Sequence, residues 1–158
     1  MIFNNKRLFN RRLEPFFQHS LCIAEFWNTI SNLPFVIIGL LRLYEGTKLP
    51  NFYILMILAG LASAIHHATT PKWTIVIDWI PIALSIVLVL YTGVWQFISI
   101  TSWFQLLLAF STLLADHIYH LMPVPWGHVV WHLVASLAID NAYQSIEMNE
   151  RDAPFRTL

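Results

Sequence analysis

The sequence predicts an all-α fold, a polytopic transmembrane helix bundle with about five spanning helices. Three observations lead there. Of 158 residues, 57% are hydrophobic and 11% charged, against roughly 25% charged in soluble domains. The apolar residues gather in runs close to the roughly 20 residues that cross a hydrocarbon core of about 30 Å at about 1.5 Å per residue. The breaks between runs are short and hold turn residues or charge, so sequential helices cross in alternate directions as packed neighbours.

The first run covers about 24 to 45 and ends at Glu45-Gly46-Thr47-Lys48-Leu49-Pro50. The second covers about 51 to 69 and stops at Thr69-Thr70-Pro71-Lys72. A third, about 73 to 93, closes on Thr92-Gly93, and a fourth, about 96 to 121, on Met122-Pro123-Val124-Pro125. The fifth occupies about 126 to 146. Trp73, Trp95, Trp103 and Trp126 sit near these ends, where interfacial aromatics belong. A membrane β-barrel needs alternating segments of about ten residues, and these runs are continuous. The chain reads as a single transmembrane domain over 1–158, an integral multi-pass membrane protein with polar tails at about 1–23 and 147–158.

Nine basic and nine acidic residues balance, so no basic stripe recommends nucleic acid as a partner. The membrane itself is the expected partner, and protein partners are left open. Cys22 stands alone and reads as a small apolar residue at a helix start. Lys6, Arg7, Arg11 and Arg12 precede the first run, but Asn28, Asn32 and the lack of a small-residue cleavage site argue against a signal peptide. With alternate crossings these four and Lys72 lie on one side, facing Arg42, Lys48, Arg151 and Arg156 on the other. The counts nearly balance, and the N-terminal cluster favours a cytoplasmic N-terminus.

Alternate crossing assigns every helix end to a face. His19, His66, His67, His117, His120, His128 and His132 all fall on the face bearing the N-terminus. At about 1.5 Å per residue, His67 lies about 6 Å inside Pro71, Asp78 about 7 Å inside Trp73, and His128 and His132 about 3 and 9 Å inside Trp126. These four side chains share one layer. Ionisable groups inside a membrane are costly and face a bundle interior or a cavity, where they pair or mark a functional pathway. His128 and His132, one helical turn apart, suit shared ligation of a metal, with His67 the best-placed third ligand; interhelical hydrogen bonding is the other reading. Three imidazoles with an open position describe a catalytic zinc site, although imidazole also suits copper, iron or nickel. Ser63 lies a turn deeper than His67 on the same face, where it could equally be part of the small-residue surface formed with Gly60, Ala62 and Ala64. Asp78, among Ile77, Trp79 and Ile80, needs a partner in its layer. Glu25, Asn28 and Asn32 form one stripe that internal hydrogen bonds to other helices would satisfy. Asp116, His117 and His120 read as an interfacial polar end.

Ala24-Glu25-Phe26-Trp27-Asn28-Thr29-Ile30-Ser31-Asn32-Leu33, Ser63-Ala64-Ile65-His66-His67-Ala68-Thr69, Asp78-Trp79-Ile80-Pro81 and His128-Val129-Val130-Trp131-His132 together resemble the alkaline ceramidase family. That family lies in a superfamily of intramembrane hydrolases with the adiponectin receptor and haemolysin III relatives. The resemblance implies zinc held by His67, rather than His66, with His128 and His132, and catalytic roles for Asp78 and Ser63. Glu25 matches an acidic position that helps hold a regulatory calcium in the animal enzymes. The remaining calcium loop is not recognisable around Glu14, so calcium is not expected. Trp79 stands where the animal enzymes carry glutamate. Those enzymes have seven spanning helices; five preserve the same crossing parity between the third helix and the final histidine pair.

The implied activity is zinc-dependent hydrolysis of ceramide or a related lipid amide to a fatty acid and a sphingoid base. The metal would activate water, Asp78 would carry its proton, and Ser63 would donate to the oxyanion. A structural helix bundle with no metal is one alternative, and two more fit the same histidines. One is a non-enzymatic haem- or metal-binding membrane protein. The other is the same zinc chemistry on a different lipid amide or ester.

Overall fold

The computed structural model describes residues 20, 22–69, 71–114 and 126–152. Its elements are α1 (Phe26–Ile30), α2 (Leu33–Tyr44), α3 (Pro50–Thr69), α4 (Thr74–Thr92), a 3-10 turn (Val94–Phe97), α5 (Ile100–Leu114) and α6 (Trp126–Asp152). No strand occurs among the described residues, and the all-α class expected from the sequence holds. Three segments are long and apolar enough to cross a membrane: Phe26–Tyr44, Pro50–Thr69 and Thr74–Thr92.

The bounds of α3 and α4 follow from local chemistry. Pro50 opens α3, a position where its missing N–H is no loss. Gly93 ends α4 in the left-handed region, at φ 70°, which a residue without Cβ adopts freely.

Three expected boundaries change. The first run is two helices rather than one, because Pro34 has no N–H to give to the carbonyl of Ile30, and the ladder is interrupted at Ser31-Asn32. The fourth run begins as a 3-10 turn, and α5 starts at Ile100 because the Ser99 hydroxyl caps it, accepting from the Ser102 N–H at 3.1 Å. The last helix continues through the expected polar tail to Asp152. There Glu147 accepts from the Lys48 N–H at 2.8 Å and from the Thr47 hydroxyl, tying the end of α6 to the α2–α3 loop. Cys22 is exposed and precedes α1 rather than starting a helix.

Helix α3 packs against α2 and α4, α6 against α5 and α2, and the short α1 touches both α3 and α6. The polarity of this bundle is inverted relative to a water-soluble one. Ile75, Val76, Trp79, Ile80, Leu84, Val87 and Leu90 of α4 are exposed, whereas Asn28, Asn32, Ser63, His67, His132, Ser136 and Asp140 are buried. An apolar outside with a hydrogen-bonded polar inside is what a lipid solvent demands. The α6 sequence is less apolar than the other long helices, and its polar residues His132, Ser136, Asp140 and Ser145 are buried whereas Asn141 and Asn149 are exposed.

Away from the histidines, Arg42 clasps Asp140 with two hydrogen bonds of 2.9 Å each, a bidentate pairing of α2 with α6. The Tyr53 hydroxyl on α3 donates to the same carboxylate at 3.0 Å, and Gln144 donates at 2.7 Å. Arg42, counted from the sequence among the positive charges on the face opposite the N-terminus, is thus the partly buried ion-pair partner of Asp140.

Where α2 meets α3, a Cβ added at Gly60 would lie 2.7 Å from Phe35 Cβ, an atom close to the backbone that cannot swing away. Gly60→Ala is therefore expected to destabilise the bundle by about 1–3 kcal/mol, the usual cost of overpacking. Thermal unfolding in detergent, against an exposed-site alanine control, measures it; an unchanged midpoint would contradict this close approach.

Candidate metal centre

The histidine cluster is assembled by two helices, α3 and α6. On α6, His128 and His132 are separated by one turn, and their rings meet edge to face with centroids 4.5 Å apart. His67 arrives from the last turn of α3, its ring 4.9 Å from that of His128 and 5.4 Å from that of His132. One ligand atom from each residue lies within 4.8 Å of the others, the spacing of a potential metal site. His67 and His132 are buried and His128 is half-buried.

The donor set fits zinc. The two Nε2 atoms of His67 and His128 face each other at 3.1 Å. Two nitrogens held about 2.0–2.1 Å from one tetrahedral zinc would be about 3.3 Å apart. Three neutral nitrogen donors from protein are also the number found in catalytic zinc sites, where a fourth position stays open.

The outer partners of His67 and His132 come from the first segment. The Glu25 carboxylate approaches Nδ1 of His67 at 2.6 Å, and the Ser31 hydroxyl approaches Nδ1 of His132 at 2.7 Å. Asn28 donates from its side-chain amide to the same Glu25 carboxylate at 3.4 Å. The stripe expected from Glu25, Asn28 and Asn32 is buried, but its partners differ from the expectation. Glu25 reaches another helix, whereas the Asn32 amide bonds back to the Asn28 carbonyl at 2.8 Å.

Asp78, near the start of α4, is half-buried and has Ser63 and His67 as its polar neighbours. Ser63 is buried one turn below His67 on α3. The five sequence-selected residues His67, His128, His132, Asp78 and Ser63 therefore occupy one neighbourhood. His66 does not join the cluster: its Nδ1 pairs with the Thr74 hydroxyl at 2.8 Å, turning it toward the start of α4. His19, Glu14, Asp116, His117 and His120 lie outside the described residues.

Ser31 was missed as a site residue by the sequence reading. A serine within an apolar segment reads as a packing residue. What could have found it is its position three residues after Asn28, beside the interruption caused by Pro34.

The described residues thus form a helical bundle with an apolar exterior that holds three histidines at metal-ligand spacing. The family model described as Ceramidase matches residues 14–154, and the chain belongs to the ceramidase family. Membership implies a hydrolase acting on amide bonds. No curated protein matches the chain.

Proposed function

We propose that this chain is a multi-pass integral membrane amidase, one domain over 1–158 with about five crossings, that uses zinc to hydrolyse ceramide or a related lipid amide. The observation that carries this reading is the convergence of His67, His128 and His132 within 4.8 Å, in a chain matched over most of its length by the ceramidase family.

In this reading His67, His128 and His132 hold the metal, which when bound polarises a water toward ionisation near neutral pH. Asp78 takes the proton released as water adds to the amide carbonyl, and returns it to the departing nitrogen. The Ser63 hydroxyl donates to the carbonyl oxygen as negative charge grows there, an interaction stronger in the transition state than in the bound substrate. The amide C–N bond breaks; hydroxyl ends on the acyl carbon and hydrogen on the nitrogen, giving a fatty acid and a sphingoid base. The apolar surface of the surrounding helices suits a substrate that stays in the bilayer. The cluster lies close to one end of the bundle, by the last turn of α3 and the first turns of α6.

Zinc-loaded protein in lipid nanodiscs, offered in parallel ceramide, an N-acyl amide without the sphingoid chain and a lipid ester, tests the reading by mass spectrometry of released products. Fatty acid and sphingoid base in equal amounts from ceramide are expected. Turnover of the ester with none of ceramide would overturn the substrate assignment. A haem Soret band in purified protein, with no hydrolysis of any of the three, would favour a haem-binding protein instead.

A further inference from the structure

Helix α1 is five residues long, too short to be stable through its own hydrogen bonds. Its two ends make the contacts that matter. Glu25 occupies the N-cap position yet makes no capping bond with its side chain, and its carboxylate is aimed at His67 instead. Ser31 occupies the C-cap position and faces His132. The chain entering α1 is pinned to the last turn of α3 by two backbone bonds, Ala24 N–H to Ala68 carbonyl and Glu25 N–H to His67 carbonyl, both 3.0 Å.

The protons at these contacts can be counted. Ser31 has one hydroxyl hydrogen, and it is donated to the Asn28 carbonyl at 2.9 Å. Toward His132 the Ser31 oxygen can then only accept, so Nδ1 of His132 carries a hydrogen. An ionised Glu25 likewise only accepts, so Nδ1 of His67 carries a hydrogen as well. A neutral imidazole with its hydrogen on Nδ1 has its lone pair on Nε2. Nε2 is the atom that His67 directs toward His128.

We propose that α1 is a positioning element for the metal centre, with Glu25 and Ser31 holding His67 and His132 in the one tautomer and ring orientation that present Nε2 lone pairs to a shared ion. The proposal rests on the zinc reading above and adds two residues to it. Neither touches substrate or metal. An unsupported imidazole samples the opposite tautomer, which would point an N–H at the ion. The Glu25 charge adds electron density to the ring it holds and so strengthens His67 as a ligand. Burial of both partners keeps water from competing for these bonds.

Zinc affinity by chelator competition and the visible spectrum of the cobalt(II)-substituted protein test this, with His67→Ala as reference. Glu25→Ala and Ser31→Ala are each expected to weaken zinc binding about 10–100-fold, the usual effect of losing an outer partner of a ligating histidine, and to shift the cobalt bands. Ser31→Thr keeps the hydroxyl and should restore both readouts. Glu25→Gln keeps an acceptor without the charge and should fall between wild type and alanine, and it serves in place of Glu25→Ala if that variant does not fold. Wild-type affinity and cobalt spectrum in Glu25→Gln, Glu25→Ala and Ser31→Ala, with zinc lost in His67→Ala, would overturn the positioning role alone. Unchanged zinc affinity in His67→Ala would overturn the zinc site and this inference with it.

Discussion

His132→Ala is expected to remove bound zinc and ceramide hydrolysis together. The side chain is buried, with 3% of its surface exposed, and it supplies one of three nitrogens at metal-ligand spacing. Two imidazoles remain, and catalytic zinc sites rely on three protein ligands. Because alanine also leaves a cavity beside Phe35, whose ring packs on the imidazole at 6.4 Å, thermal unfolding should accompany metal analysis. Asp78→Asn provides the contrast. It keeps the shape and the three imidazoles but cannot carry a proton, so zinc should stay bound while kcat falls by about 10²–10⁴-fold. Elemental analysis and product release on the same samples separate the two. A His132→Ala protein that keeps its zinc and full amidase activity would remove His132 from the site.

Asp140→Ala is expected to be the most destabilising change away from the histidines, costing about 3 kcal/mol, the low end for breaking a buried ion pair. Arg42 loses both of its 2.9 Å bonds to this carboxylate, while Tyr53 and Gln144 lose their acceptor. Arg42 keeps its contact with Glu45 at 2.9 Å and is 30% exposed, which limits the loss. The double variant Arg42→Met with Asp140→Leu should recover much of it, because replacing a whole pair by apolar side chains avoids an uncompensated charge. Denaturant unfolding in detergent gives the comparison. Equal stability of Asp140→Ala and wild type would mean that the clasp contributes nothing net.

The sequence carries some of this structure openly and hides the rest for definite reasons. Apolar runs between turn residues place α3 and α4 within a residue or so of their observed bounds, since Pro50 and Gly93 act locally. Crossing parity then brings His67, Asp78, His128 and His132 to one end of the bundle before any contact is known. The interruption after Ile30 is obscured because hydrophobicity continues across it. Pro34 is the local cause, but proline early in an apolar segment also suits an uninterrupted helix start. The end of α6 is missed for the opposite reason: Glu147, Asn149 and Asp152 look like a tail, and the partner that engages Glu147 lies about a hundred positions earlier, in the α2–α3 loop. Ser31 and Asp140 belong to the same class. Each is a polar residue whose meaning depends on an atom from a distant helix, and spacing along one helix cannot supply that.

The inward-facing polar row of α6 also bears on how such a protein is made. On the membrane reading, an aspartate near the middle of a helix raises the free energy of inserting that helix alone by about 2.5–3.5 kcal/mol. Helix α6 would thus be a poor candidate for independent entry into the bilayer. Yet it follows α2 and α3 in the chain, so Arg42 and Tyr53 are already synthesised when Asp140 emerges. The helix that carries two of the three clustered histidines would then enter by docking on helices already in place. Assembly of the histidine cluster would then come after α2 and α3 have entered, later than the establishment of their topology.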